Sequence, residues 1–178
     1  ISDVLPKDLT ASIFSNSGAD ANDGAIKTAY KYHNGKRKYI LCSNIGFHGR
    51  SITTASITGS LKNKYFPNAL RSKTFIHNSL QGIKKIINEN LKKFAHTNIF
   101  AIIVEPYNHI HVTACDYKFL KGIRRLCNKH KIILIYDEIY TGWGKTGTLF
   151  YFMRHKDICP DILTTSKSLG GGKASVAA

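Results

Sequence analysis

Residues 132–140 read Ile132-Ile133-Leu134-Ile135-Tyr136-Asp137-Glu138-Ile139-Tyr140, an apolar run that ends abruptly in two acids. A run that is apolar at every position, rather than at every second one, is what a strand buried on both faces requires, as in a parallel sheet covered by helices. Ile102-Ile103-Val104 repeats the pattern. Carboxylates at the carboxyl end of such a strand sit where open α/β sheets bind ligands. Asp137, the first acid after the run, would be partly desolvated there and needs a cationic or hydrogen-bonding partner, which a ligand or a structural ion pair could supply.

Outward from this stretch, short apolar runs alternate with longer segments of helical period. This predicts an α/β domain with a mostly parallel sheet flanked by helices. Strands are expected at 12–15, 38–42, 99–105, 132–137 and 161–165. Three helices are expected. Residues 19–33 carry Ala21, Ala25 and Ala29 on one stripe beside Ile26 and Tyr30, and 79–96 repeats Leu80, Ile83, Ile87, Leu91 and Phe94 at steps of three or four. Residues 116–130 open on an N-cap residue, Asp116, and place Phe119, Leu120, Ile123 and Leu126 on one face.

The chain has 178 residues, of which 43% are hydrophobic, enough for one sizeable core and therefore one domain. No apolar run approaches the roughly 18 residues of a membrane span. The four cysteines, Cys42, Cys115, Cys127 and Cys159, are widely spaced without a Cys-x-x-Cys pair. Neither a zinc site nor a disulfide framework is indicated, and a reducing, cytoplasmic compartment fits. The outlier is charge: 26 Lys and Arg against 11 Asp and Glu give a net +15. Such an excess suggests a polyanion as partner, but the lysines are scattered through every segment. A solvated basic surface is the expected reading and nucleic acid is not an expected partner.

Several motifs could carry chemistry. Asn16-Ser17-Gly18-Ala19-Asp20-Ala21-Asn22 lies between a strand and a helix, where unpaired backbone N–H groups at the positive end of the helix dipole make a phosphate site; ordinary capping is the alternative. Ser17 could add a hydroxyl donor. Gly46-Phe47-His48-Gly49-Arg50 could lay a flat ring against a bound heterocycle, or form a turn with one buried aromatic. Gly142-Trp143-Gly144-Lys145-Thr146-Gly147 imitates a P-loop, but that motif's first glycine would fall at Ile139 and no helix pattern follows. Lys167 stands after a strand and before Gly170-Gly171-Gly172, where partial enclosure would suit it to attack a carbonyl. His109, His111 and Cys115 have spacing tolerable for a metal, but no second cluster completes the set.

In this order and spacing the motifs resemble the class III, or ornithine-type, aminotransferases, pyridoxal-phosphate enzymes of fold type I. The resemblance runs from about Phe14 to Ala178. Ser17-Gly18-Ala19-Asp20-Ala21 is similar to the family's Ser-Gly-(Thr/Ala)-Glu-Ala turn, Phe47-His48-Gly49-Arg50 to its Phe-His-Gly-Arg, and Glu105-Pro106 to its Glu-Pro. The stretch from Asp137 to Gly147 is similar to its Asp-Glu-(Val/Ile)-Gln-Thr-Gly-x-Gly-Arg-Thr-Gly. Pro160-Asp161-Ile162 and Ser166-Lys167-Ser168-Leu169-Gly170-Gly171-Gly172 close the series.

The resemblance implies roles. Lys167 would hold the cofactor aldehyde as a Schiff base and then shuttle the proton, and Asp137 would pair with the pyridine nitrogen. Phe47 would stack on the ring with His48 beside it, Gly18 and Ala19 would offer amides to the phosphate next to Ser17, and Glu105 would serve the ring-hydroxyl or substrate side. Tyr140 replaces the glutamine that contacts the ring hydroxyl, and a phenol can donate that bond. After Glu105-Pro106 the pattern Ile/Met-Gln-Gly-Glu-Gly-Gly is replaced by Tyr107-Asn108-His109-Ile110-His111-Val112, so Ile110 stands in place of a gating glutamate. The implied activity is transamination from an amine or ω-amino acid to a 2-oxo acid, in a homodimer. A mutase or decarboxylase on the same scaffold and a catalytically silent fragment are the alternatives. Residues 1–178 are expected to be the central part of the cofactor-binding large domain, incomplete at both ends. An N-terminal segment and a C-terminal small domain would be absent, and the isolated chain inactive.

Overall fold

A computed structural model describes residues 1–59 and 69–178. Four α-helices and seven strands are present among them: α1 (Gly18–Tyr32), β1 (Tyr39–Ser43), α2 (Ile52–Ala55), β2 (Arg71–Phe75), α3 (Leu80–Lys93), β3 (Ile99–Val104), β4 (Tyr107–Asn108), β5 (Thr113–Ala114), α4 (Tyr117–His130), β6 (Ile133–Asp137) and β7 (Ile162–Thr164). Five strands form one sheet in the order β2-β1-β3-β6-β7, and every pairing in it is parallel. β4 and β5 form a separate antiparallel hairpin.

The strand pleat explains why the central strands read as continuous apolar runs. Successive side chains point to opposite faces, and here both faces are covered. Ile40, Cys42, Ala101, Ile103 and Ile135 pack with Ala25, Ile26 and Ala29 of α1. Their neighbours Leu41, Ile102, Val104, Leu134 and Tyr136 pack with Ile83 and Ile87 of α3 and Phe119, Leu120 and Ile123 of α4. All six residues of β3 are buried. No helix among the described residues is long and apolar enough to cross a membrane.

One expectation changes, and β2 is an addition to the strands expected. Residues 12–15 are not a buried strand: Ile13 and Phe14 are 74% and 63% exposed, and only Ser15 pairs, in a single antiparallel bridge with Ala177. Hydrophobic residues there read as a strand, but no second layer covers them. Conversely, β2 lies at the sheet edge, and its sequence Arg71-Ser72-Lys73-Thr74-Phe75 lacks an apolar run because an edge strand needs burial on few positions and gains protection from charge.

Candidate active site

The parallel arrangement brings the carboxyl ends of the strands together. β6 ends on Asp137, β3 runs directly into Glu105, β1 leads into Phe47 and His48, and β7 leads into Lys167. Together with the N-terminus of α1 these residues surround one cavity of about 270 Å³, lined by the nine residues to which the resemblance gives a place beside the cofactor: Ser17, Gly18 and Ala19; Phe47 and His48; Glu105, Asp137, Tyr140 and Lys167.

Asp137 is 5% exposed and is held by three donors or partners. Asn22 Nδ2 donates to its Oδ2 at 2.8 Å, His48 Nδ1 meets the same oxygen at 2.8 Å, and the amide of Ile139 donates to Oδ1 at 3.2 Å. Asn22 is itself fixed, because its amide also donates to the His48 carbonyl and its oxygen accepts from Thr164 Oγ1. Burial alone would lower the His48 pKa; the hydrogen bond and charge of Asp137, with the charge of Glu105, outweigh it and hold the imidazole above its ordinary value. Gly49, with φ +128°, permits the loop carrying this histidine to press against α1, since a Cβ there would lie 2.8 Å from that of Ala19.

Glu105 is 6% exposed. Its Oε2 accepts from the Phe47 amide at 2.8 Å and from Asn108 Nδ2 at 2.7 Å. Burial pushes its pKa up to about 7, with Asp137 adding to the rise and His48 and the two donors opposing it. It is therefore a carboxyl that exchanges its proton near neutrality.

At the start of α1 the Ser17 side chain caps the helix by accepting from the Asp20 amide. Its hydroxyl proton goes to Asp20 Oδ2 at 2.7 Å, so in this structure the Ser17 hydroxyl is engaged in the cap. The first intrahelical bond is that of the Ala21 amide to Ser17; the amides of Gly18 and Ala19 precede it and have no intrahelical acceptor. Gly18 also makes room: a Cβ there would come within 2.7 Å of Ile139 Cδ1. Lys167 is exposed, in the left-handed region at φ +44°, and its Nζ lies 5.7 Å from the centre of the Tyr140 ring. The partly enclosed lysine expected from the sequence is thus at the mouth of the cavity.

Two residues of this environment went unassigned in the sequence. Asn22 had a legible signal, a buried polar side chain on the alanine face of α1. His109, which also lines the cavity, had none beyond the metal reading, because the β4–β5 hairpin that folds it back is too short to show a pattern. Its Nδ1 lies 3.3 Å from Glu105 Oε1, while the Cys115 thiol is buried and bonded to the Glu105 carbonyl. Among the described residues no three His, Cys, Asp or Glu side chains could hold a metal ion. Glu138 is no part of the cavity; it is fully buried and binds the amides of Tyr151 and Phe152.

The family described as aminotransferase class-III matches residues 1–178, and the chain belongs to it. The chain is 39% identical over 169 residues to the acetylornithine/succinyldiaminopimelate aminotransferase of Photorhabdus laumondii, a match covering 89% of this chain and 39% of that protein. It is 37% identical over 166 residues to the succinylornithine transaminase of Salmonella paratyphi B, covering 89% and 38%. The solved ornithine aminotransferase of Toxoplasma gondii, which holds PLP at partial occupancy in its active site, superposes with a TM-score of 0.77 at 29% identity, covering 92% of this chain and 39% of that one. An (S)-enantioselective ω-transaminase from Thermomicrobium roseum superposes with a TM-score of 0.88 at 25% identity, covering 99% and 44%. The chain thus spans about two fifths of the length of the curated relatives it matches.

Proposed function

We propose that the cavity binds pyridoxal phosphate and that the protein containing this chain transfers an amino group from an amine or ω-amino acid to a 2-oxo acid. One observation carries the reading: Asp137 and Lys167, at the carboxyl ends of the neighbouring strands β6 and β7, face the same cavity as the free amides at the N-terminus of α1. The donor set fits the cofactor at three points, with amides and a helix dipole for a phosphate, an acid for a ring nitrogen and an amine for an aldehyde.

When bound, the cofactor supplies an electron sink for the charge left by the departing substrate proton. The residues of this chain do the rest. The Gly18 and Ala19 amides hold the phosphate, and Asp137 keeps a proton on the ring nitrogen. Asn22 and His48 fix that carboxylate in orientation. Phe47 packs against the ring, Glu105 and Tyr140 face its hydroxyl or the substrate, and Lys167 Nζ binds the aldehyde and afterwards carries the proton. Residues 1–178 are read as the cofactor-binding part of a longer enzyme, acting as a homodimer in the cytoplasm.

Adding pyridoxal phosphate to the folded chain should give a visible absorption band, and borohydride should then fix the cofactor covalently on Lys167, read by peptide mass. Lys167→Ala should abolish both. Fixation on Lys145 or Lys173 instead, or a band that survives the substitution, would overturn the assignment.

A further inference from the structure

Two of the places where this chain departs from the family pattern meet in the fold. His109 stands for a glycine and Tyr140 for a glutamine. The His109 imidazole lies face to face with the Tyr140 ring, with centroids 4.5 Å apart and planes 19° from parallel. Its Nδ1 faces Glu105 Oε1 at 3.3 Å, and its ring meets that of Phe47 edge-on at 6.0 Å and 86°. The Phe47 amide donates in turn to the other oxygen of Glu105. One side chain therefore touches three residues of the cavity, and a glycine at this position could touch none of them in this way.

Tyr140 needs such a neighbour. It is 41% exposed, and its hydroxyl has no hydrogen-bond partner among the described residues. Only ring contacts hold it: His109, and the ammonium groups of Lys145 at 4.8 Å and Lys167 at 5.7 Å from its centre. Lysine side chains are long and mobile, whereas His109 is stacked and also tethered to a buried carboxyl, so it sets where the phenol points.

We propose that His109 is a positioning residue of this site, which stacks on Tyr140 and bonds Glu105 so that the phenol hydroxyl and the carboxyl stand at fixed places toward the ring hydroxyl of bound pyridoxal phosphate. The proposal rests on the cofactor reading above for its ligand and on the stack with Tyr140 and the contact with Glu105 for its geometry. The replacement at 109 and the replacement at 140 then form one coupled change. A phenol reaches differently from an amide and swings on a longer arm, and the imidazole removes that freedom.

Two measurements separate the parts. In the 178-residue chain without cofactor, the ring current of Tyr140 should move the His109 carbon-bound ring protons upfield in the NMR spectrum, and Tyr140→Gln should return them to ordinary positions; shifts indifferent to that change would overturn the stack. With cofactor, a double-mutant cycle on the dissociation constant of pyridoxal phosphate should show each of His109→Gly and Tyr140→Gln weakening binding about threefold or more, and the double variant binding no worse than the weaker single. His109→Phe, which keeps the stack and loses the Glu105 bond, should recover most of the affinity lost in His109→Gly. Thermal midpoints within error of the native chain would accompany these losses. Multiplying effects in the cycle, no recovery in His109→Phe, or losses that follow the thermal midpoint would overturn positioning. A chain that binds no pyridoxal phosphate would overturn the cofactor reading and the ligand assigned here, leaving the NMR result to decide the stack.

Discussion

Glu105 and His48 are buried ionisable groups beside the same cavity, and each is held above its ordinary pKa. For Glu105 the sign follows from burial. Its unfolded carboxyl loses its proton near the ordinary value of 4.5 and its folded one at about 7, so its favourable contribution is complete below 4.5 and is lost as pH rises through 7. His48 acts in the same direction as pH passes its raised value. His33, His77, His109 and His130 act oppositely, because burial lowers their pKa values and their contribution is lost as pH falls. The raw melting curve therefore mixes both trends, and the difference between the native chain and Glu105→Gln reports the carboxyl together with His48, whose raised value depends in part on the Glu105 charge. We expect Glu105→Gln to gain stability relative to the native chain between pH 5 and 8, measured as thermal midpoints without cofactor. A difference that is flat across this range would show that the carboxyl titrates normally.

Among the elements, the end of β6 shows how two adjacent acids part company. Asp137 points to the cavity, while Glu138, next along the chain, accepts from the amides of Tyr151 and Phe152 and from Thr141 Oγ1 at 2.9 Å. It fastens the 3-10 turn Tyr151–Arg154 against the core, where Phe152 is buried. Spacing put both acids at the ligand end of a strand, and Asp137 was singled out as the first acid after the apolar run and by the resemblance; the role of Glu138 stayed hidden because the amides it binds, those of Tyr151 and Phe152, lie more than ten residues on in a segment without periodicity. The same limit hid β2 and the β4–β5 hairpin, whereas β1, β3 and β6 were legible because burial on both faces forces a continuous apolar run. Removing the acceptor should be costly. Glu138→Ala leaves two backbone N–H groups without a partner, about 3 kcal/mol, and should lower the thermal midpoint by roughly 10 °C. Glu138→Gln keeps one acceptor oxygen and should lose distinctly less. An alanine variant that melts within about 2 °C of the native chain would contradict this role.

At the scale of the molecule, the candidate site was readable from five separated motifs because a parallel sheet delivers every carboxyl end to one edge. Gly18 was paired with Asp137 and Lys167 by the resemblance to the class III aminotransferases; the strand ends alone placed Asp137 and Lys167, since residues 12–15 before Gly18 form only a single bridge. His109 escaped because its place depends on a two-residue hairpin rather than on a sheet strand. The net charge of +15 has a different standing. Few of the cations are paired with acids: the described ion pairs made by lysine or arginine are Lys121 with Asp157 and Arg124 with Asp161. The rest are dispersed over every segment and not gathered on one element. Such a surface attracts polyanions through counterion release, which is steeply salt-dependent and blind to sequence, and among the described residues the exposed aromatics Phe14, Tyr30, Tyr32, Phe94, Tyr117 and Tyr140 are spread over several segments of the chain rather than along one strand or helix. We therefore expect single-stranded and duplex DNA to bind only at low salt. Affinity should fall by about a hundredfold or more between roughly 50 and 200 mM salt if several phosphates are contacted, with no preference among sequences, as read by fluorescence anisotropy. The same titration with pyridoxal phosphate should depend far less on salt, because on the reading proposed above its phosphate would be held at a helix terminus by directed N–H bonds inside a partly enclosed cavity as well as by net charge. Equal salt dependence for the two ligands would mean that the cofactor is gathered by the basic surface in general and not by the amides of Gly18 and Ala19.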